Sequence, residues 1–315
     1  MIQYVHIPGG IMNKRPLVIL LLFITMFILL GCDQKATDKT GSVRLSVSGL
    51  EDISPTARYE TWLIVDGEPY SIGRFTVNSQ GMPSATTFTT DQSLIDAATG
   101  CFITIEAIPD PSSAPSDFVI LAGDFVTPSD STHINNAPLY VAHHLALNNT
   151  FVNATGKYIL SSPTDTNTLN ETSGVWFMNI STGYPLQGLT LPTLPTHWKY
   201  EAWAVIDEHT VSMGRFSVAN QSDESSHYSG TGEPPAFPGE DFVNDNILNS
   251  EGILTPVILS GKSIFITVQP DASFITTPFF LTVLKSAIPS NAAPHLTYTM
   301  TNQAATSSPS GIAYR

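Results

Sequence analysis

The sequence is poor in cysteine and in basic residues. Two of its 315 residues are cysteine, and 13 are Lys or Arg against 27 Asp or Glu. Two cysteines exclude a disulfide-rich scaffold. A formal net charge of −14 disfavours nucleic-acid binding, because that affinity comes mainly from Lys and Arg side chains that neutralise phosphates. We therefore expect no nucleic-acid partner.

The sequence also lacks the short motifs of common catalytic sites. It contains no phosphate-binding loop, no glycine-rich dinucleotide fingerprint, no zincin motif and no Gly-x-Ser-x-Gly elbow. These absences weaken the case for an enzyme without excluding one. We predict a non-enzymatic protein that uses no cofactor.

One long apolar run is present near the N-terminus. Residues 16–30 are apolar, follow Lys14 and Arg15, and are separated by one glycine from Cys32. This order resembles a bacterial lipoprotein signal peptide, in which the cysteine becomes the lipid-modified first residue of the mature chain. The alternative is a single transmembrane anchor, but the run is shorter than the ~20 residues that a spanning helix needs.

The lipoprotein interpretation predicts where the protein works. Residues 1–31 are the expected signal peptide, residues 32–42 the expected flexible tether, and lipid on Cys32 the expected membrane attachment. The mature chain would lie on the extracytoplasmic side of a bacterial membrane, in the periplasm or at the cell surface. Its expected partners are that membrane and an envelope or membrane signalling protein.

A segment of the sequence occurs twice. Tyr59 to Phe75 and Tyr200 to Phe216 align without a gap at an offset of 141 residues, and eight residue types recur. In each copy two β-rich runs flank an aspartate, followed by glycine in Asp66-Gly67, which predicts a β-hairpin. Because Glu208 replaces the glycine in the second copy, we expect the turn type to differ.

The recurring residues are typical of the structural needs of a hairpin. Each copy has a tryptophan, a turn aspartate, a closely packed glycine, an arginine and an aromatic residue: Trp62, Asp66, Gly73, Arg74 and Phe75, then Trp203, Asp207, Gly214, Arg215 and Phe216. We expect the tryptophans to be core anchors, with ligand stacking as the alternative. Each arginine is expected to pair with Glu60 or Glu201 across its hairpin; anion capture is the alternative.

Many short alternating segments with frequent turns predict an all-β fold, with two β-sandwich (Ig-like) domains in tandem after the signal peptide. The first domain is predicted over residues 43–130 and the second over 137–300, followed by an irregular tail over 301–315. One short helix is predicted from Asp91. Cys101 lies in a predicted strand, so we expect it to be buried and inert.

The second copy carries an acidic insertion. Phe75 and Phe102 are 27 residues apart, whereas Phe216 and its counterpart Phe265 are 49 apart. The insertion spans residues 217–261 and contains seven acidic residues but no Lys or Arg. Any specialised site of this protein is therefore predicted in this insertion rather than in the repeated segment.

Carboxylates on a turning loop suit calcium. Glu240, Asp241 and Asp245 are therefore weak candidate metal ligands, although the spacing of a calcium loop is absent. A solvated acidic loop is the first alternative. The second is a loop that packs Phe237 and Phe242 on the domain and closes over a groove.

A histidine pair interrupts an alternating segment between the copies. His143 and His144 lie in a predicted strand, where adjacent side chains point to opposite faces. We expect one ring to face the core and the other to face solvent, which disfavours a shared zinc ion.

The hairpin and the strand that follows it resemble the C-terminal, extracytoplasmic domain of anti-sigma-K factors. The resemblance depends on Tyr59, Trp62, Asp66, Gly67, Pro69, Ser71, Gly73, Phe75, Phe102, Ile105, Glu106 and Pro109, and on Tyr200, Trp203, Asp207, Ser212, Gly214, Phe216, Phe265, Val268 and Pro270. It covers most of the mature chain in two copies. It implies a β fold and an extracytoplasmic location, and it implies no catalytic residue.

These features predict a membrane-anchored lipoprotein whose two β domains act as a non-enzymatic sensing or binding module. One alternative is a regulator of an extracytoplasmic-function sigma factor that acts through a membrane partner, because the resembling family inhibits sigma factors through a cytoplasmic segment. A third hypothesis is a calcium- or carbohydrate-binding module that uses the acidic insertion.

Overall fold

The computed structural model describes residues 39–126 and 135–315. Strands hold 42% of the chain and helices 6%, so the predicted all-β class with two β domains is confirmed. The predicted signal peptide, Cys32 and most of the tether lie outside the described residues. Among the described residues, no helix is both long enough and apolar enough to cross a membrane.

An eight-stranded antiparallel sheet forms the first domain. Its first seven strands are β1 (Thr40–Ser48), β2 (Ala57–Val65), β3 (Glu68–Phe75), β4 (Thr87–Asp91), β5 (Gly100–Ala107), β6 (Val119–Asp124) and β7 (Asn136–Tyr140). The spatial order runs β3-β2-β5-β6-β7, then the eighth strand, then β1-β4. Because β1 already pairs with β4 at Thr40, the predicted tether over 32–42 is too long at its C-terminal end.

The second domain is built on a nine-stranded antiparallel sheet. Its strands and an adjoining two-stranded ribbon are β8 (Thr155–Leu160), β9 (Gly174–Trp176), β10 (Met178–Asn179), β11 (Leu186–Gln187), β12 (Leu189–Thr190), β13 (Trp198–Ile206), β14 (His209–Phe216), β15 (Gly239–Asp241), β16 (Ser263–Pro270), β17 (Thr282–Ala287) and β18 (Tyr298–Asn302). The order is β14-β13-β16-β17-β18-β8-β9-β15, with β12 on β8, while β10 and β11 form the ribbon.

The last strand of the chain returns to the first domain. β19 (Ser310–Tyr314) lies between β1 and β7 and is antiparallel to both. The prediction of an irregular tail over 301–315 is therefore wrong. The assignment of residues from 137 onward to the second domain also fails at its start, since β7 belongs to the first sheet. Pairing with β19 explains both corrections, because it removes two exposed strand edges.

Three short helices complete the described structure: α1 (Gln92–Ala97), α2 (Asp245–Ser250) and α3 (Ala304–Ser307). α1 is the helix predicted from Asp91, which occupies the N-cap position without a capping side-chain hydrogen bond. Because α1 is short and its capping is incomplete, packing must hold it. Ile95 is its buried anchor.

Alternation along the strands gives each sheet two different faces. In β2 and β5, Tyr59, Leu63, Ile103 and the free thiol of Cys101 lie in the main apolar core, which runs through both domains. Trp62 and the other residues of its face lie on the opposite, outer side of the first sheet. That outer face is where the cleft described below is found.

Candidate functional site

The two hairpins have the same register but different turns. Val65 pairs with Glu68 and Ile206 with His209, so each turn has two residues. Both central residues of the first turn have positive φ, 53° at Asp66 and 85° at Gly67, whereas in the second only Asp207 does, at 53°. The expected difference in turn type is therefore present, since glutamate tolerates positive φ poorly.

The predicted arginine–glutamate pair is present in both domains. Arg74 Nε donates to Glu60 Oε2 at 2.5 Å, and Arg215 Nε donates to Glu201 Oε2 at 2.9 Å. Both glutamates are buried, whereas both arginines keep part of their surface in water. A buried carboxylate needs such a partner, because an unpaired buried charge is costly.

Further partners engage the same groups. Ser71 Oγ donates to the first glutamate at 2.5 Å, and Ser212 Oγ donates to the second at 2.7 Å. Asp110 accepts from the first arginine at 2.6 Å, and Asp271 lies 3.5 Å from the second. Each arginine is thus bonded to carboxylates of the protein. This geometry favours a structural role for the two arginines over capture of an anion.

The repeated tryptophans belong to a second shared network, which depends on residues that the sequence did not single out. Trp62 Nε1 donates to Thr104 Oγ1 at 2.8 Å, and Trp203 Nε1 donates to Thr267 Oγ1 at 3.0 Å. All four side chains are buried. Each threonine lies two residues after the matched phenylalanine of its strand, and this spacing is the signal that would have identified it.

The repeated glycines allow close packing at the same place in each hairpin. A Cβ on Gly73 would lie 2.5 Å from Phe88 Cδ1, and one on Gly214 would lie 2.2 Å from Asp223 Oδ1. Their φ angles are 153° and 117°. Both positions therefore require glycine, and the second domain fills this space from its acidic insertion.

The acidic insertion is folded into the second domain. Glu240 and Asp241 lie on β15, which pairs with β9, and both side chains have 0% exposure. Phe242 is buried in the main core, and Phe237 packs on the small cluster around Trp176. The interpretation as a solvated loop is wrong for this part of the insertion, whereas the packing of the two phenylalanines is present.

The two buried carboxylates accept hydrogen bonds from donors within the protein. Glu240 accepts from Ser229 Oγ and from the backbone N–H of Asp241 at 3.1 Å. Asp241 accepts from Thr164 N–H at 2.7 Å and from Trp176 Nε1 at 2.6 Å. These bonds explain how two adjacent carboxylates are accommodated without solvent.

The structure does not gather the three candidate metal ligands into one site. Asp245 is exposed at the first residue of α2, while Glu240 and Asp241 are bonded inside the domain. Within residues 39–126 and 135–315, no group of three or more His, Cys, Asp or Glu side chains could hold a metal ion. The three candidate carboxylates therefore do not form such a group.

Burial changes the acidity of this region. Desolvation raises the pKa of Glu240 to about 7, although the Ser229 hydrogen bond opposes the change. Desolvation also raises the pKa of Asp223 to about 6, against hydrogen bonds from the N–H groups of Gly239 and Ser225. Desolvation likewise raises the pKa of Asp241. The cluster therefore responds to pH near neutrality.

The histidine pair lies in a turn rather than in the predicted strand. β7 ends at Tyr140, and the backbone then folds on itself, with Ala146 N–H donating to the carbonyl of His143 at 2.9 Å. The predicted division into one buried and one exposed ring is present, for His143 and His144 respectively. Their centroids are 4.3 Å apart, and His143 Nε2 lies 3.4 Å from Asp124 Oδ2.

The turn at residues 141–148 places Ala146 on the outer face of the first sheet, while Val141 and Leu147 lie in the main core. Trp62 and Phe102 stack there with centroids 6.1 Å apart and ring planes 8° apart. Ala122 and Ala146 complete this small apolar cluster. The turn thus adds an apolar contact to the outer face of the first domain.

A cleft of about 440 Å³ opens beside this cluster. Most of its lining is apolar and comes from Ile64, Pro69, Phe102, Pro115, Val119 and Leu145. Pockets of about 300–1,000 Å³ with apolar walls and a few polar groups are typical of small-ligand sites. We refer to it as the first-domain cleft.

The second domain contains the same aromatic pair in a different setting. Trp203 and Phe265 stack with centroids 6.3 Å apart, but Phe265 is only half-buried. In the first domain Ala146 joins the pair, and Phe102 is 6% exposed. The added turn therefore distinguishes the first domain, and the sequence prediction of a specialised site in the acidic insertion missed it.

Comparison with protein-family models, with curated proteins and with solved structures finds no match for this chain. The first-domain cleft is the feature of the described residues from which a function is inferred.

Proposed function

We propose that the protein is a lipid-anchored extracytoplasmic binding module and that the first-domain cleft is its ligand site. The observation that supports this most is the cleft itself, about 440 Å³ in volume and mainly apolar in lining. A rigid sheet supplies its floor through Phe102, and the turn at 141–148 supplies Leu145. A cleft on rigid elements binds a ligand at low ordering cost.

The buried carboxylates fit the role of scaffold in this proposal. Glu60, Glu201, Glu240 and Asp241 are buried and accept hydrogen bonds from protein donors. Such fully bonded networks hold a fold in one conformation. The same network in both domains supports a non-catalytic task for the motif, and the resemblance to anti-sigma-K extracytoplasmic domains supports a sensing role outside the cell.

The membrane part of the proposal depends on Cys32 and the apolar run before it. Expression of wild-type protein and of Cys32→Ser in a bacterium, with labelled palmitate, tests it directly. We expect palmitate label on the wild type and none on the variant, in which the uncleaved apolar run can still hold the chain in the membrane fraction. Wild-type protein that incorporates no palmitate would refute the lipid anchor on Cys32.

The cleft can be blocked without disturbing the core. Leu145 lines it and is 40% exposed, so Leu145→Arg places a charged side chain there at little cost to folding. Leu296 is 54% exposed in the second domain, which makes Leu296→Arg the matched control. In saturation-transfer NMR with a set of small aromatic compounds, we expect binding to wild type and to the control but not to Leu145→Arg. Equal binding by both variants would exclude the cleft as the site.

A further inference from the structure

The lining of the first-domain cleft contains an acidic side chain but no basic Lys or Arg side chain. Asp124 is the one formally charged side chain among its lining residues, which include no Lys or Arg. The Asp124 side chain is 68% exposed. The Nε2 atom of His143 lies 3.4 Å from Asp124 Oδ2. A ligand in this cleft therefore meets a carboxylate that is open to solvent.

Two of the three other polar side chains of the lining, Thr99 and Ser116, have hydrogen-bond partners inside the protein, whereas the third, His144, is exposed. Thr99 Oγ1 donates to the carbonyl of Ile64 at 3.2 Å, and Ser116 Oγ donates to the carbonyl of Ile105 at 2.8 Å. The His144 ring lies against His143. The strongest polar interaction left for a ligand is thus with Asp124.

An aromatic ring forms part of the apolar wall. One face of Phe102 stacks on Trp62, and the Phe102 side chain also lines the cleft. Because Phe102 is 6% exposed, it offers a ligand an apolar contact of small area. A carboxylate at the edge of an apolar cleft favours a positively charged group on an apolar body.

We propose that the first-domain cleft selects a compact, mainly apolar molecule that carries a protonated amine. This inference rests on the proposed binding function and adds the class of ligand. A volume of about 440 Å³ fits a free small molecule of this kind, so a lysine side chain of a protein partner is the competing source. Asp124 binds the ammonium group, and Phe102, Val119 and Leu145 bind the apolar part.

Three probes of the same size test the charge preference: 2-phenylethylammonium, 2-phenylethanol and phenylacetate. Dissociation constants are measured by NMR titration at low ionic strength, where a partly exposed ion pair is least screened. We expect the ammonium probe to bind about five-fold more tightly than the alcohol. The acetate should bind most weakly.

Two variants assign the preference to one residue. Asp124→Asn should bring the affinities for the ammonium probe and the alcohol close together, because it removes the charge and keeps the shape. Asp245→Asn is the control, since Asp245 is exposed at the first residue of α2 in the second domain and does not line the cleft. It should leave all three affinities unchanged.

The outcomes separate the ligand class from the binding function. If none of the three probes binds, the proposed binding function fails as well. If the alcohol binds as tightly as the ammonium probe, or if Asp124→Asn keeps the preference, the ligand class is wrong while the cleft remains a site. A lysine-containing peptide that binds in the cleft far more tightly than 2-phenylethylammonium would overturn the small-molecule source.

Discussion

Glu240 should make the stability of the protein depend on pH, with the more stable state at acid pH. Its pKa rises from an ordinary 4.5 to about 7 because the side chain is buried. Between these values the unfolded chain releases the proton that the folded chain keeps. The free energy of unfolding must therefore fall as the pH rises through this interval.

The size of the effect follows from the width of the interval. One extra proton in the folded state changes the free energy of unfolding by about 1.4 kcal/mol per pH unit. For Glu240 the loss between pH 4.5 and pH 7 is therefore roughly 3 kcal/mol. Asp223 adds a loss of the same sign at lower pH, because burial raises its pKa as well.

Urea unfolding followed by tryptophan fluorescence at pH 5 and pH 8 measures this loss. Glu240→Gln cannot ionise and keeps an oxygen for Ser229, so its stability should change less with pH than that of wild type, by roughly 3 kcal/mol. Glu233→Gln is the control, because Glu233 is exposed. A Glu240→Gln variant with the full pH dependence of the wild type would refute the burial argument.

Three further changes test the repeated motif and the returning strand. Gly73→Ala should cost about 2 kcal/mol or more in unfolding experiments, since its Cβ would lie 2.5 Å from an aromatic ring, whereas Gly67→Ala meets no atom within 4 Å and should cost less. Trp62→Phe leaves Thr104 without its donor and should cost roughly 1–3 kcal/mol; a neutral result would contradict the network. Removal of residues 310–315 should abolish the folded first domain, detected by loss of amide dispersion in NMR, because β1 and β7 lose their common neighbour.

Local features of the fold were predictable from the sequence because they depend on nearby residues. The hairpin turn at Asp66 and the pairing of Arg74 with Glu60 follow from strand periodicity and from cross-strand distance. Their recurrence 141 residues later doubled the signal. The short helix after Asp91 belongs to the same class of local prediction.

The remaining features depend on contacts that no short window contains. The strand near Ser310 is too short to be recognised, and its partners in the first sheet lie at least 170 residues earlier in the chain. The burial of Glu240 and Asp241 depends on donors such as Thr164 and Trp176, which lie outside the insertion. The number of acidic residues in the insertion therefore suggested that these carboxylates are solvated, whereas in the folded protein they are buried and hydrogen-bonded.

The first-domain cleft was missed for a related reason. The turn at 141–148 reads as an alternating strand, and only its packing on Trp62 and Phe102 makes it a wall. The acidic insertion was the more conspicuous feature of the sequence, but its buried carboxylates, Glu240 and Asp241, accept hydrogen bonds that stabilise the fold.

The most direct test of the binding function is the location of the bound probe. Two-dimensional amide NMR spectra of the folded chain, titrated with 2-phenylethylammonium, should show shifts concentrated at Ile64, Phe102, Val119 and Leu145. The equivalent surface around Phe265 should not shift, although it presents a similar aromatic pair. Shifts centred on Phe265, or spread evenly over both domains, would contradict a ligand site in the first-domain cleft.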